Sequence, residues 1–303
     1  MRLDLYRHGP KNNDPAAHGT GVEALLDPDK LPVIRAHAVQ LAHEAERERY
    51  TAIEIWTTPM NQAVATGDVV YKRILEEVLG LEASGMQIQV AQPRIHALLG
   101  SCAIHPETGE AVNLSSRAMS QIWADAKKSE DYASFEGENK PLAAWFDQGL
   151  DNPQGWQFGR PETYNAADLG ITLREIAWRV GTFAYTRLLQ AEEGTRIVGY
   201  GHSGDLEPWA ALTIHMAEGR DDGKEGTTVK DMKQLFKDLG GALEPLHRYS
   251  LVTKGSDLHL TGAGLGTNEF VVGREVLQEQ ARLYRTKGKS NHVLAARLRL
   301  GGK

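Results

Sequence analysis

The sequence contains little cysteine and no long hydrophobic run. Its single cysteine, Cys102, cannot form a disulfide within the chain, which excludes a disulfide-stabilised scaffold. No stretch approaches the roughly 18 consecutive apolar residues of a membrane-spanning helix. The first apolar residues are interrupted by Asp4, Arg7 and His8, so no secretory leader is predicted. These absences predict a cytoplasmic protein with no membrane association.

Positive charge is also in the minority. The chain has 34 Lys and Arg against 40 Asp and Glu, a net charge of −6, and a pI near 6.0. This balance argues against binding of nucleic acid or anionic membranes by the molecule as a whole, although it allows a local basic site.

The chain is long and apolar enough to fold around a hydrophobic core. With 303 residues, 41% of them hydrophobic, it can bury the core of one large domain or two small ones.

Segments with the periodicity of strands and helices alternate along the chain. The predicted strands are residues 2–6, 51–56, 86–91, 195–200, 249–253 and 258–261, and the predicted helices are residues 31–50, 60–79 and 173–192. This order is typical of a doubly wound sheet. It predicts a three-layer α/β/α fold, in which a mostly parallel open sheet carries helices on both faces.

Two regions depart from the alternation. Residues 100–165 carry Gly, Pro, Asn and Trp in loop-like stretches, which indicates an inserted cap region over the edge or mouth of the sheet. Residues 274–303 contain eight Lys or Arg against two acidic residues, as expected of a docked surface helix with a basic tail. We therefore predict one α/β domain over residues 1–273, with the insertion at about 100–165, followed by a basic C-terminal helix or tail.

Three predicted strands end in unusual polar turns. These turns contain Arg7-His8-Gly9, Thr57-Thr58-Pro59 and Gly201-His202-Ser203-Gly204. Because the carboxyl ends of parallel strands meet at one edge of a sheet, the arginine and the two histidines are expected to lie together. Arginine pairs with phosphate oxygens in a bidentate manner, and a neutral imidazole can carry a phosphoryl group as a covalent intermediate. A glycine after the first histidine lets the backbone approach a ligand closely.

The same turns resemble the motifs of the histidine phosphatase superfamily, also called phosphoglycerate-mutase-like. Residues 5–9 resemble the family signature, residues 57–63 its Ser-Ser-Pro-Leu-x-Arg-Ala segment, and residues 201–204 its second histidine motif, in family order. The resemblance covers most of the chain outside the insertion and the tail. It implies His8 as nucleophile, Arg7 as phosphate ligand, and His202 as the partner that stabilises the transferred group. Gly9 and Ser203 are expected to contribute to phosphate binding.

One departure from the family pattern concerns charge. Gln62 stands where the family has its second phosphate-binding arginine, so it can donate a hydrogen bond but cannot offset the phosphate charge. Weaker phosphate binding is implied, unless Arg160 restores the charge.

The other departure concerns the general acid. His96 stands where the family has a glutamate, four residues before Gly100. Either His96 replaces that acid, or it is a loop residue without chemistry and another group protonates the leaving oxygen. The alternative acids are Glu162, Asp205 and Glu207, although a helix cap or a surface charge also explains Glu162 and Asp205.

Other chemical patterns are weaker. Gly199-x-Gly201-x-x-Gly204 matches a dinucleotide fingerprint but lacks the expected acid at the end of the next strand. His8, His96 and His202 could in principle bind zinc, but their sequence context supports no metal site.

The sequence therefore predicts a phosphomonoester hydrolase that forms a phosphohistidine and needs no metal or cofactor. Its substrate would be a phosphorylated small molecule or a phosphoprotein. The alternative is a catalytically impaired pseudoenzyme that binds a phosphorylated ligand or a protein partner.

Overall fold

The structure is a computed structural model that describes residues 1–11, 25–82, 87–115, 126, 128, 130–136, 139–147, 149–151, 170–224, 236–237 and 239–301. Its strands are β1 (Arg2–Arg7), β2 (Ala52–Thr57), β3 (Gln89–Val90), β4 (Arg94–Ile95), β5 (Cys102–Ile104), β6 (Ala111–Asn113), β7 (Thr195–Gly201), β8 (Arg248–Lys254), β9 (Asp257–Gly262) and β10 (Phe270–Val272). Its α-helices are α1 (Leu31–Arg47), α2 (Asn61–Glu82), α3 (Asn139–Asp147), α4 (Leu173–Gln190), α5 (Leu206–Ala217), α6 (Arg274–Lys287) and α7 (Ser290–Gly301). Each predicted helix and strand is present, with ends that differ by a few residues.

Within the described residues, the main sheet has eight strands in the order β10-β9-β8-β1-β7-β2-β3, with β4 also paired to β2. The pairs β1–β7, β2–β7, β2–β3 and β2–β4 are parallel. At the other side, β8, β9 and β10 form an antiparallel meander that begins beside β1. The connection from β8 to β9 is only Gly255-Ser256, with φ +62° at Gly255, and such a short link allows only an antiparallel pair.

The sheet separates two hydrophobic cores. Leu3, Leu5 and Ile197 point into the core that contains α4 and α5, whereas Val198 and Tyr200 point into the core formed with α1 and α2. This alternation follows from the two-residue period of a strand. The predicted three-layer α/β fold with a mostly parallel sheet is confirmed.

A buried charge cluster holds the central strands in register. Asp4, in the middle of β1, contacts Arg196 of β7 (2.7 Å), Arg2 (2.8 Å) and the Ser250 hydroxyl of β8 (2.5 Å). Burial opposes ionisation of Asp4, but Arg196, Arg248 and Arg2 outweigh it and lower the pKa of its carboxyl. Because β1 and β7 also carry the two histidine turns, this cluster sets how those turns lie relative to each other.

The described part of the predicted insertion packs on the same core as α4. Leu142, Trp145 and Phe146 of α3 are buried there, and the Trp145 ring lies against the turn at Gly204. A further pair of strands, β5 and β6, forms a small antiparallel sheet. Residues 152–169 lie outside the described residues, and with them the predicted roles of Arg160 and Glu162.

The basic C-terminal segment contains α6 and α7. Val276, Leu277 and Leu283 of α6 are buried in the core that also contains α4. Gln280 presses against Gly181 of α4 so closely that a Cβ on that glycine would lie 1.8 Å from the Gln280 amide oxygen. The division of the chain at residue 273 stays a prediction. None of the described helices combines the length and the apolar character that a bilayer crossing requires.

Candidate active site

The ends of β1 and β7 bring His8 and His202 together. The two strands are parallel neighbours, with Arg7 opposite Gly201, and the His8 amide donates to the Gly201 carbonyl at 3.0 Å. Each histidine is the first residue after its strand. Their ring centroids are consequently 4.7 Å apart, with an interplanar angle of 52°.

His8 is held as a neutral imidazole with one defined tautomer. Its Nδ1 lies 2.7 Å from the Gly9 carbonyl oxygen, which can only accept, so Nδ1 carries the proton and Nε2 carries the lone pair. The residue is 3% exposed, and Nε2 is buried with no hydrogen-bond partner among the described residues. Burial, followed by the neighbouring His202, Arg7 and Lys11, lowers the pKa of His8 to about 3. An unprotonated ring nitrogen is therefore present at neutral pH, as a nucleophile requires.

His202 makes a similar backbone contact in the facing turn. Its Nδ1 lies 3.0 Å from the Ser203 carbonyl oxygen, so this contact orients the His202 ring as the Gly9 carbonyl orients His8. The turn continues through Gly204, whose φ is +88° and whose Cβ, if it had one, would lie 2.7 Å from the Trp145 ring. A residue other than glycine would be strained there and would also clash.

Gly9 is packed tightly against two helices. Its amide donates to the Thr66 hydroxyl at 2.9 Å, and that hydroxyl donates to the Gln62 carbonyl at 2.8 Å. A Cβ on Gly9 would lie 2.7 Å from Ile34 Cδ1. Besides the bond from its carbonyl to His8, Gly9 thus contacts α1 and α2, and these contacts position the His8 turn.

A buried carboxylate links Arg7 to the His202 turn. Arg7 Nη1 donates to the Leu243 carbonyl at 2.8 Å, and the Leu243 amide donates to Glu207 Oε1 at 2.8 Å. Glu207, which is 0% exposed, also accepts from the Ser203 hydroxyl (3.0 Å) and the Gly204 amide (2.7 Å). We call these five residues the Glu207 clasp. The Ser203 hydroxyl donates its proton within this clasp, and Glu207 accepts three hydrogen bonds there.

Gln62 and two threonines lie near the end of β2. Gln62 is half-buried in the first turn of α2, and within the described residues no hydrogen bond is recorded for its side-chain amide. The hydroxyls of Thr57 and Thr58 are buried and likewise have no described partner. Both threonines belong to the Thr57-Thr58-Pro59 turn, but the sequence alone assigns neither of them a role. Hydroxyls of this kind can donate to a bound anion.

His96 lies in a different environment. Its ring packs edge-on against Trp56 and Phe183, with centroids 5.7 and 5.0 Å away, and its Nδ1 accepts from the Leu98 amide at 3.3 Å. Burial, then Arg187 and Arg179, lowers the pKa of His96 to about 4. None of its recorded contacts is with His8, His202 or Arg7, and a neutral imidazole is a poor proton donor near pH 7.

The two other described candidates for the acid, Asp205 and Glu207, both follow His202. Asp205 is 3% exposed, and its carboxyl lies close to Gly100 and Ser101. Burial raises the pKa of Asp205, His202 and Ser101 oppose that rise, and Glu207 adds to it. As for metals, the described residues contain no group of three or more His, Cys, Asp or Glu side chains placed to hold an ion.

No protein-family model matches the sequence, and no curated protein matches it either. Among solved structures, a mycobacterial glucosyl-3-phosphoglycerate phosphatase in complex with VO3 is 14% identical, with 86% of this chain and 96% of that chain covered and a TM-score of 0.39. Two proteins described as mycobacterial hydrolases 2 and 1 are 15% and 16% identical, with TM-scores of 0.41 and 0.40; they cover 93% and 86% of this chain, and 97% and 96% of their own. Since identity and TM-score are both low, the functional conclusion depends on the site itself.

Proposed function

We propose that this chain is a phosphomonoester hydrolase of the histidine phosphatase type, in which His8 carries the phosphoryl group. The observation that carries the proposal is the state of His8. Its ring is neutral, its Nδ1 proton is bound by the Gly9 carbonyl, and its buried Nε2 lies beside the His202 ring without a described hydrogen-bond partner. A nucleophile aimed at phosphorus needs this combination of an available lone pair and a fixed orientation.

The reaction would proceed in two displacements. In the first, His8 Nε2 attacks phosphorus and the ester oxygen leaves, which forms a phosphohistidine. In the second, water attacks that phosphorus and frees phosphate and His8. Arg7, His202 and the Gln62 amide would hold the phosphate oxygens, on which the charge of the transition state is spread.

The competing function is binding of a phosphorylated ligand or phosphoprotein without turnover. It is favoured by Gln62, which brings no charge, and by the separate surroundings of His96. Both functions need an anion site at the His8–His202 pair, but only hydrolysis needs the His8 lone pair to form a bond.

The test measures phosphate release from small phosphomonoesters and phosphopeptides at neutral pH. Wild-type protein should release phosphate, and rapid quenching without acid should trap labelled phosphoryl on His8. His8→Asn should abolish both signals. His43→Asn is the matched control, because that histidine is half-exposed on α1 and pairs with Glu77.

Turnover that survives His8→Asn would overturn the covalent mechanism. If wild-type protein binds vanadate or a phosphopeptide but releases no phosphate from any substrate, the binding function replaces the hydrolase.

A further inference from the structure

We propose that Asp205 is the proton donor to the leaving oxygen in the reaction proposed above, because its buried carboxyl lies in the turn that begins at His202 and is not used as a helix cap. The inference rests on the proposed function and adds to it the identity of the acid.

The helix-cap explanation of Asp205 does not fit its geometry. Asp205 occupies the N-cap position of α5, where an aspartate ordinarily accepts a hydrogen bond from an amide of the first helical turn. Here its backbone has φ −102° and ψ −40°, and its side chain makes no such bond. A surface-charge role is also excluded, since the residue is 3% exposed.

The carboxyl of Asp205 points instead toward the segment that follows β4. A Cβ on Gly100 would lie 2.3 Å from Asp205 Oδ2 and 3.2 Å from Thr58 Cγ2, so the carboxyl and Thr58 flank the same glycine. Both the hydroxyl and the amide of Ser101 hydrogen-bond to the carboxyl. The group thus lies between the His202 turn and the residues that follow β2 and β4, at the strand edge where His8 and His202 meet.

The surroundings of Asp205 suit a group that must hold a proton and then release it. Burial raises the pKa of its carboxyl, and the nearby Glu207 carboxylate acts in the same direction. His202 and Ser101 oppose this by stabilising the ionised form, which is the form left after the proton has been given away. A general acid typically has a carboxyl whose pKa is raised and whose ionised form is stabilised by neighbouring groups.

The other described candidates for the acid, Glu207 and His96, are engaged in other contacts. The two oxygens of Glu207 already accept hydrogen bonds from three donors of the Glu207 clasp, so this carboxyl is used to hold the turn together. His96 packs edge-on against Trp56 and Phe183, and among the described residues its ring contacts do not include His8 or His202.

The proton that Asp205 gives up in the first step is returned to it in the second. As the N–P bond to His8 forms and the ester P–O bond breaks, Asp205 gives its proton to the leaving oxygen and becomes a carboxylate. When water attacks the phosphohistidine, that carboxylate takes a proton from the water. The products are an alcohol, phosphate and the original protonated Asp205.

The test compares an alkyl phosphate with p-nitrophenyl phosphate in Asp205→Asn. Nitrophenolate leaves as a stable anion, whereas an alkoxide needs a proton. We expect kcat/KM for the alkyl ester to fall by about 10²–10⁴-fold, and that for the nitrophenyl ester to change by less than about tenfold. Asp257→Asn, at an exposed aspartate on β9, is the matched control and should leave both values unchanged.

Two outcomes of this comparison would overturn the assignment. Equal losses on both substrates would make Asp205 a positioning residue for His202, and no loss on either would exclude any role in proton transfer. If the wild-type protein turns over neither substrate, the proposed function itself is refuted. The activity of the wild-type protein is therefore measured before that of any variant. If Asp205→Asn does not fold, the wild-type protein can still overturn the assignment, because an acid that protonates the leaving oxygen makes kcat/KM nearly independent of the leaving-group pKa. A steep dependence would contradict it.

Discussion

Replacing Glu207 by glutamine should lower both the free energy of unfolding and kcat. The carboxylate accepts from the Ser203 hydroxyl and the Leu243 amide through Oε1, and from the Gly204 amide through Oε2. Glutamine has the same shape, but only one of its two terminal atoms can accept a hydrogen bond. Whichever way the amide is turned, at least one buried donor loses its acceptor and faces an N–H group.

The magnitude follows from the bonds lost. A hydrogen bond to a charged group contributes roughly 1.5–3 kcal/mol, and a buried donor left unsatisfied costs about 1–3 kcal/mol. Removing a buried charge offsets part of this, because glutamine is less costly to desolvate. We expect the free energy of unfolding to fall by about 2–4 kcal/mol. Since the Leu243 segment also binds Arg7, we expect kcat to fall by about 10–100-fold through misplacement of the guanidinium.

The assay is urea unfolding followed by tryptophan fluorescence, combined with phosphate-release kinetics on the same preparation. Glu193→Gln, at an exposed glutamate before β7, is the control for loss of one negative charge and should change neither quantity. If the two variants behave alike, with unfolding free energies within about 0.5 kcal/mol of wild type, the Glu207 clasp does not position the site.

Three further predictions concern the residues around the histidine pair. Burial lowers the pKa of His8 from 6.5 to about 3, so protonation favours the unfolded chain, and the free energy of unfolding should fall by up to about 1.4 kcal/mol per pH unit as the pH drops from 6.5 toward 3. In His8→Asn, the decrease in the urea midpoint between pH 7 and pH 4.5 should be smaller than in the wild type. An equal decrease in both proteins would contradict this prediction. Gln62→Arg should tighten vanadate binding, measured by calorimetry, by roughly 1.5–3 kcal/mol less the desolvation cost, whereas unchanged affinity would mean that this side chain does not face the anion. Gly9→Ala should lower stability in thermal unfolding by about 1–3 kcal/mol, because its Cβ would lie 2.7 Å from Ile34 Cδ1. Adding Ile34→Val removes that methyl and should recover most of the loss, and a double variant no better than the single one would rule out the clash.

Local patterns in the sequence determined the elements of the fold and the meeting of the two histidines. Apolar periodicity identified β1, β7 and α4 because a helix or strand buries one side over several neighbouring residues. The positions of Arg7, His8 and His202 followed from the polar turns at the ends of parallel strands. The order of the elements and the chemistry of each turn are enough to place these residues at one edge of the sheet.

Only the tertiary structure decided what each side chain does at that edge. Asp205 and Glu207 are two residues apart and looked interchangeable in the sequence, yet one faces Ser101 and the other binds the Leu243 amide. His96 matched a family position by its spacing, but packs against Phe183 of α4. These choices depend on partners that lie far away along the chain, as in the bond between Arg7 and the Leu243 carbonyl, 236 residues apart. A side chain turns toward the acceptor or donor that folding brings nearest, and no local pattern carries that information.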